Sequence, residues 1–228
     1  MKLKFRERKD EAGDVKSFLF EPVEPLSWKA GQFLVYFLPH EEPDIRGKQR
    51  FFTISSAPLE NHVMLSTRIF DENRSSFKKT LMNLNSGDEV EIKGPDGDFT
   101  LENPNKKFVF IAGGIGITPF RSIILELNHE NKPLNITLLY ANSSEDFAFK
   151  NEFEEIASKN PNFKIHYIVS PKHIDEEVVR TSVENINEPI FYVSGPEPMV
   201  ESLDGMLKKM GIPEDHIKTD YFPGYEAF

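Results

Sequence analysis

The chain has 228 residues, enough for one large domain or two modest ones. Its 27 Lys and Arg against 37 Asp and Glu leave a net charge of −10, which argues against nucleic-acid binding. Cysteine is absent, which excludes disulfides, cysteine-ligated iron–sulfur clusters and a thiol nucleophile within this chain.

The first half reads as β structure. Six short strand-forming runs cover 3–8, 15–20, 33–38, 50–55, 63–69 and 89–93. Pro22, Gly31, Pro39, Pro58, Gly87 and Gly94 fall between or after them. Short strands with turn residues between them predict a six-stranded antiparallel barrel. One helix is expected over 76–84, with Phe77, Leu81 and Leu84 on one side. Ser75 and Ser76 stand at its start, where a hydroxyl can cap free N–H groups. Lys2, Lys4, Arg6, Arg8 and Lys9 read as a solvated strand face, or as a dock for an acidic protein. The start of the chain, MKLKFRERKD, has no apolar signal core, and no apolar run approaches the ~20 residues of a membrane span. A cytoplasmic protein without a transmembrane segment is expected. The scattered histidines predict no metal site.

A polar stretch at 102–107 marks a change of pattern. It divides the chain into an expected β domain over 1–104 and an expected α/β domain over 105–228. In the second part, strand-forming runs at 108–112, 136–141, 164–170, 190–195 and 217–222 alternate with helical patterns near 118–130, 146–159, 175–185 and 197–210. This alternation predicts a five-stranded parallel sheet covered by helices. Met199, Leu203, Met206, Leu207 and Met210 form a stripe at helical spacing, read as core packing. The segment 108–121, FVFIAGGIGITPFR, runs from a strand through Gly113, Gly114 and Gly116 to Thr118 and Pro119. Free amides and the helix dipole make such a turn a site for a pyrophosphate, and glycine admits the close approach. Pro119 suits the first helical turn. The spacing departs from G-x-G-x-x-G, so a tight turn without a ligand is the competing reading.

Five segments occur in order: Arg50-Phe51-Phe52-Thr53-Ile54-Ser55-Ser56, Gly94–Phe99, Gly113–Pro119, Ser194-Gly195-Pro196-Glu197-Pro198-Met199 and Asp220–Tyr225. Together they resemble the ferredoxin–NADP⁺ reductase superfamily, the flavin-dependent NAD(P)H reductases, over residues 16–225. The resemblance implies that the barrel holds flavin and the α/β part holds a nicotinamide nucleotide. By resemblance, Arg50 pairs with the flavin pyrophosphate, a role that suits a planar, permanently charged fork. Thr53 sits near flavin N5, and Phe52, where the family has tyrosine, stacks on the ring without the phenol's hydrogen bond. Phe51 belongs to the same segment. Ser75 and Ser76 face the flavin diphosphate, and Thr67 and Arg68 touch the ribityl or phosphate portion. Gly113, Gly114, Gly116, Thr118, Pro119, Gly195, Pro196 and Met199 line the nucleotide side. Ser194 stands where many members have cysteine beside the nicotinamide. Asp220 occupies the place of a family glutamate near the reacting rings, one methylene shorter. Phe222 or Tyr225 covers the flavin face that the nicotinamide must enter.

The implied activity is hydride transfer from NAD(P)H to bound FAD, then electron release to a carrier such as ferredoxin or an iron–sulfur subunit. FAD is preferred to FMN on family frequency alone. NADH is favoured because no Arg or Lys lies between Tyr140 and Phe149 while Glu145 and Asp146 are acidic; NADPH stays open. Two alternatives remain: a non-catalytic flavin-holding subunit of a larger electron-transfer complex, and a dehydrogenase whose barrel binds an organic substrate.

Overall fold

The computed structural model describes residues 1–70 and 75–222, with Phe222 described by its backbone alone. The first half forms β1 (Lys2–Ala12), β2 (Val15–Pro22), β3 (Phe33–Phe37), β4 (Gln49–Thr53), β5 (Val63–Arg68) and β6 (Glu89–Asp96), with α1 (Ser76–Met82) between the last two. All six strands join one antiparallel sheet in the order β4-β3-β6-β1-β2-β5. Its two edges approach where the Ser55 amide donates to the Met64 carbonyl at 2.8 Å, which makes a partly open barrel. Strand alternation sets the inside: Leu34 and Tyr36 of β3 are fully buried while Phe33, Val35 and Phe37 are half-exposed. Leu3, Phe18, Phe20, Tyr36 and Phe77 of α1 fill the interior.

The second half forms β7 (Phe108–Gly113), α2 (Thr118–His129), β8 (Ile136–Asn142), α3 (Lys150–Lys159), β9 (Phe163–Val169), α4 (Glu176–Ser182), β10 (Ile190–Pro196), α5 (Glu197–Lys209) and β11 (Ile217–Phe222). The strands are parallel in the order β11-β10-β7-β8-β9. Every residue of β7 is buried, as a central strand covered on both faces requires. Helix α3 starts later than its sequence pattern suggests, because Phe149 adopts φ +62° and the chain turns there. The Met stripe packs on the core as expected: Met199 and Met206 of α5, and Met210 just beyond it, pack against the buried cluster that includes Val109, Ile111 and Val193.

The sheet order reverses beside β7: the chain runs outward through β8 and β9, then returns to place β10 on the other side. In open parallel sheets the ligand crevice lies at such a switch point, outside the carboxyl ends of the strands. Here those ends are the glycine turn after β7 and the Ser194–Pro196 end of β10. The largest hydrophobic cluster crosses between the sheets. Val15, Leu19, Ala57, Met64 and Phe99 join Phe110, Phe120, Ile123 and Tyr192 in it.

Candidate functional site

At the crevice the glycines lie close to their neighbours, and Gly116 meets backbone. A Cβ on Gly116 would lie 2.2 Å from the Ser194 carbonyl oxygen, so the two strand ends meet backbone to backbone. A Cβ on Gly113 would lie 2.3 Å from Met199 Sδ, and one on Gly114 (φ +52°) 2.8 Å from Arg68 Nη2. Residues Gly114–Ile117 form a 3-10 turn that leads directly into α2. The unpaired amides that open any helical path therefore belong to the glycine segment itself. Thr118 and Pro119 are buried, and the Thr118 hydroxyl donates to the Ile115 carbonyl at 3.1 Å. Thr118 thus stabilises the turn from within. Ser194 is fully buried and its Oγ has no hydrogen-bond partner. Gly195 is buried and Pro196 half-buried beside it.

On the barrel side, Arg50 and Phe52 project from one face of β4. Phe52 packs against Tyr36 (5.9 Å) and Phe77 (5.8 Å), and Arg50 lies 5.4 Å from the Phe77 ring. The Arg50 fork grips Asp44, with Nη2 donating to both carboxylate oxygens at 2.6 and 2.8 Å. Nη1 donates to the carbonyls of Arg46, Gly47 and Gln49, whereas buried Nε has no partner. This bonding holds the Asp44 carboxyl below the usual range against the opposing effect of burial. Ser75 caps α1, accepting from the Lys78 amide at 3.3 Å. Ser76 departs from the capping role: its Oγ bonds His40 Nε2 and accepts from the Asp44 amide, both at 2.9 Å. It ties the 38–48 loop to the helix instead. Thr53 is buried at the end of β4, and Phe51, on the opposite face, is 56% exposed against Phe33.

Arg68, at the end of β5, reaches across to the parallel-sheet half. Its Nη2 donates to Asn142 Oδ1 at 2.6 Å, at the end of β8, and its guanidinium covers Gly114. The sequence offers Lys150 as the cation next to the 140–149 segment; the fold brings Arg68 there from the barrel. Gly13, in the β1–β2 turn, also abuts Asp146. Thr67 is buried on the same strand. On the basic face of β1, Lys2 pairs with Glu89, Arg6 with Glu21 and Lys9 with Glu7, and Arg8 bonds the Met82 carbonyl.

Asp220 on β11 pairs in register with Ser194 on β10. Loss of water around it, with a smaller contribution from Asp98, raises its carboxyl from 3.8 to about 6. A group of that strength exchanges a proton near neutral pH. Phe222 continues the same strand, and Tyr225 lies outside the described residues. Among the described residues six buried side-chain atoms have no partner; three belong to Tyr36, Tyr167 and His216, and the others, Arg50 Nε, Ser55 Oγ and Ser194 Oγ, fall on the two sides of the site. A polar ligand supplying acceptors and donors fits such a set better than an empty interior does. Sequence reading missed Asp44 and His40, which lie in a loop of ordinary polar composition. It also missed Arg121, whose only signal was a cation within an apolar helix.

Fold and site define a two-part framework in which a barrel half meets a parallel-sheet half at the switch point. Residues 110–204 match the family model for the oxidoreductase NAD-binding domain. The chain is 32% identical over 238 residues to a flavohemoprotein of Candida albicans, covering 95% of this chain and 58% of that protein. It shares its fold with the FAD/NAD-binding domain of a Vibrio cholerae nitric oxide dioxygenase (TM-score 0.83, 22% identity, 97% and 98% of the two chains). Ferredoxin–NADP⁺ reductase from Plasmodium falciparum is similar as well (TM-score 0.82, 22% identity, 97% and 95%). The chain therefore shares the fold of the ferredoxin–NADP⁺ reductases, and its residues 110–204 match an oxidoreductase NAD-binding domain. It spans a little over half the length of the first curated relatives it matches. Among the described residues, no helix is long and apolar enough to cross a membrane.

Proposed function

We propose that this protein is a flavin-dependent NAD(P)H reductase. FAD would lie against the barrel, residues 1–104, and the nicotinamide nucleotide against residues 105–228. The observation that carries the reading is the meeting of the two halves at the switch point. The barrel's Arg68 covers Gly114, and the Ser55 and Ser56 carbonyls are held by α2. Bound flavin supplies hydride acceptance at N5 and the release of electrons one at a time.

The chain's own residues supply position and charge. Arg50 offers the flavin diphosphate a fixed cation, and the start of α1 lies beside it. Phe52 and Thr53 hold the ring system from β4. The glycine turn and Arg68 receive the pyrophosphate of the nicotinamide nucleotide. Ser194 Oγ, buried without a partner, is available to the carboxamide. Asp220 holds or delivers a proton at the edge of the rings. NADH is favoured over NADPH because Glu145 and Asp146 flank the expected 2′-phosphate position. The acceptor is proposed to be a one-electron carrier protein such as a ferredoxin, since a chain without cysteine holds no cluster of its own. The donor makes the cytoplasm the expected compartment.

The test is the visible spectrum of the purified protein, followed by anaerobic addition of NADH or NADPH. Flavin absorbance bleached by one of them supports the reading and ranks the two donors. Flavin that neither bleaches points to an electron-transfer subunit. A protein that takes up neither FAD nor FMN overturns the proposal.

A further inference from the structure

Arg121 is a cation on a helix whose neighbouring residues are buried. Phe120, Ser122, Ile123 and Ile124 are inaccessible or nearly so, and Arg121 itself is 6% exposed. A guanidinium carries five N–H donors and no acceptor, and here every donor is used. Nε donates to Glu152 Oε2 at 2.8 Å. Nη1 donates to the Ser55 carbonyl and to Glu60 Oε2, both at 2.9 Å. Nη2 donates to Glu60 Oε1 at 3.1 Å and to Glu152 Oε1 at 2.8 Å. The Phe149 ring lies 5.0 Å away. The next residue, Ser122, donates to the Ser56 carbonyl at 2.7 Å. Glu60 is itself fixed by the Ala57 amide at 2.6 Å.

The cluster joins three parts of the molecule. Glu60 and Ser55 belong to the barrel half, Arg121 to α2, and Glu152 to α3. Ser55 lies two residues beyond Thr53 at the end of β4. Arg121 lies one helical turn beyond the glycine segment. The path from one cofactor's strand to the other cofactor's turn is therefore short and closed by directional bonds. Buried ion clusters add little net stability over apolar packing of the same volume, and breaking one leaves an uncompensated charge. Their distinctive contribution is geometry. Hydride transfer depends steeply on geometry, since a misplacement of about 1 Å costs up to roughly a hundredfold in rate.

We propose that Arg121, together with Ser122, is a positioning residue for hydride transfer. It fixes the Thr53–Ser56 segment against the Gly113–Thr118 turn so that the two rings meet at reacting distance. The proposal rests on the reductase reading above.

The test compares wild type with Arg121→Lys, which keeps the charge and loses the fork, and with Ser122→Ala, which leaves the ion cluster intact. Single-turnover flavin reduction at saturating nicotinamide, flavin affinity and the long-wavelength absorbance of stacked nicotinamide and flavin are measured well below the unfolding midpoint. Arg121→Lys is expected to keep flavin affinity within about threefold, to slow reduction by about tenfold or more, and to weaken the stacking band. Ser122→Ala is expected to do the same to a smaller degree. Wild-type rates and stacking bands in both variants, whatever their thermal stability, would assign the cluster to stability alone and overturn the proposal. Should Arg121→Lys fail to fold, Ser122→Ala decides by the same criterion. A wild-type protein that no nicotinamide reduces sinks the reductase reading instead. Amide exchange then decides the coupling: faster exchange at both 53–56 and 114–118 in a variant supports it, and unchanged exchange refutes it.

Discussion

Replacing Asp220 with asparagine tests whether this carboxyl is held out of water at the site. Its rise from 3.8 to about 6 means that the native state binds the proton more tightly than the unfolded chain. At 1.36 kcal/mol for each tenfold change, the ionised form costs the native state at most ~3 kcal/mol. Asp220 is only half-buried, so about 1–3 kcal/mol is the expected size. The sign follows from linkage. Below pH 3.8 the group is protonated in both states and costs nothing. As pH rises through the window up to about 6, the unfolded state ionises first and stability falls. Above that the full cost is present. An asparagine at this position cannot ionise, so the variant should be more stable than wild type by about 1–3 kcal/mol at pH 8, and the gain should fade towards pH 4. Urea unfolding of both proteins at several pH values measures the difference directly, since other titrating groups cancel in it. A gain that is equal at pH 5 and pH 8 would refute the reasoning. The same substitution should slow flavin reduction more than it weakens flavin binding, because it removes the exchangeable proton and leaves the binding residues in place.

Arg50→Ala removes a charge-assisted contact worth about 1.5–3 kcal/mol and should raise the flavin dissociation constant by roughly 10- to 150-fold; equilibrium titration with FAD checks this, and an unchanged constant removes Arg50 from the site. Gly116→Ala drives a Cβ into the Ser194 carbonyl and should cost about 2–3 kcal/mol, lowering the melting temperature by roughly 5–10 °C. A normal melting curve would show that the strand ends separate easily. Arg68→Ala should raise the KM for the nicotinamide nucleotide while flavin affinity holds within about threefold. Loss of flavin with an unchanged KM would return Arg68 to the flavin side.

Much of the architecture was legible because periodicity reports which face is buried. The period-two opening of β6, with Val90 and Ile92 between Glu89, Glu91 and Lys93, and the uninterrupted apolar run of β7 distinguish a one-sided sheet from a two-sided one. Helix ends were less legible. The start of α3 depends on the left-handed backbone of Phe149, a conformation set by tertiary packing and by no cap residue. Local contacts were legible where a motif places them on one element, as at the Gly113–Pro119 turn. Contacts were illegible where the partner is distant in sequence. Arg121 finds Glu60 and Glu152 at separations of 61 and 31 residues, and Arg68 finds Asn142 at 74. The Asp44–Arg50 pair is local, yet nothing in a loop of ordinary polar composition announces that its carboxylate folds back onto a strand cation.

The polar stretch at 102–107 separates two patterns of secondary structure without separating two sources of stability. Phe99 precedes that stretch, and its ring lies 5.7 Å from Phe120 and 5.0 Å from Tyr192 in the parallel-sheet half. The Tyr192 hydroxyl reaches back to the Thr100 carbonyl at 2.9 Å. Gly31 is held so close to the Phe99 carbonyl that a Cβ would lie 2.1 Å from it, and Ile123 of α2 packs on its other side. The barrel's own turn and the nucleotide half's first helix thus press on one aromatic residue. Two halves joined by a shared core resist the hinge motion expected of domains linked by a small polar interface. For a hydride donor and acceptor carried on different halves, such stiffness is an advantage, because the productive geometry is then present before either nucleotide arrives. The shared aromatic core resists separation of the halves, and the Arg121 cluster, being directional, fixes their register.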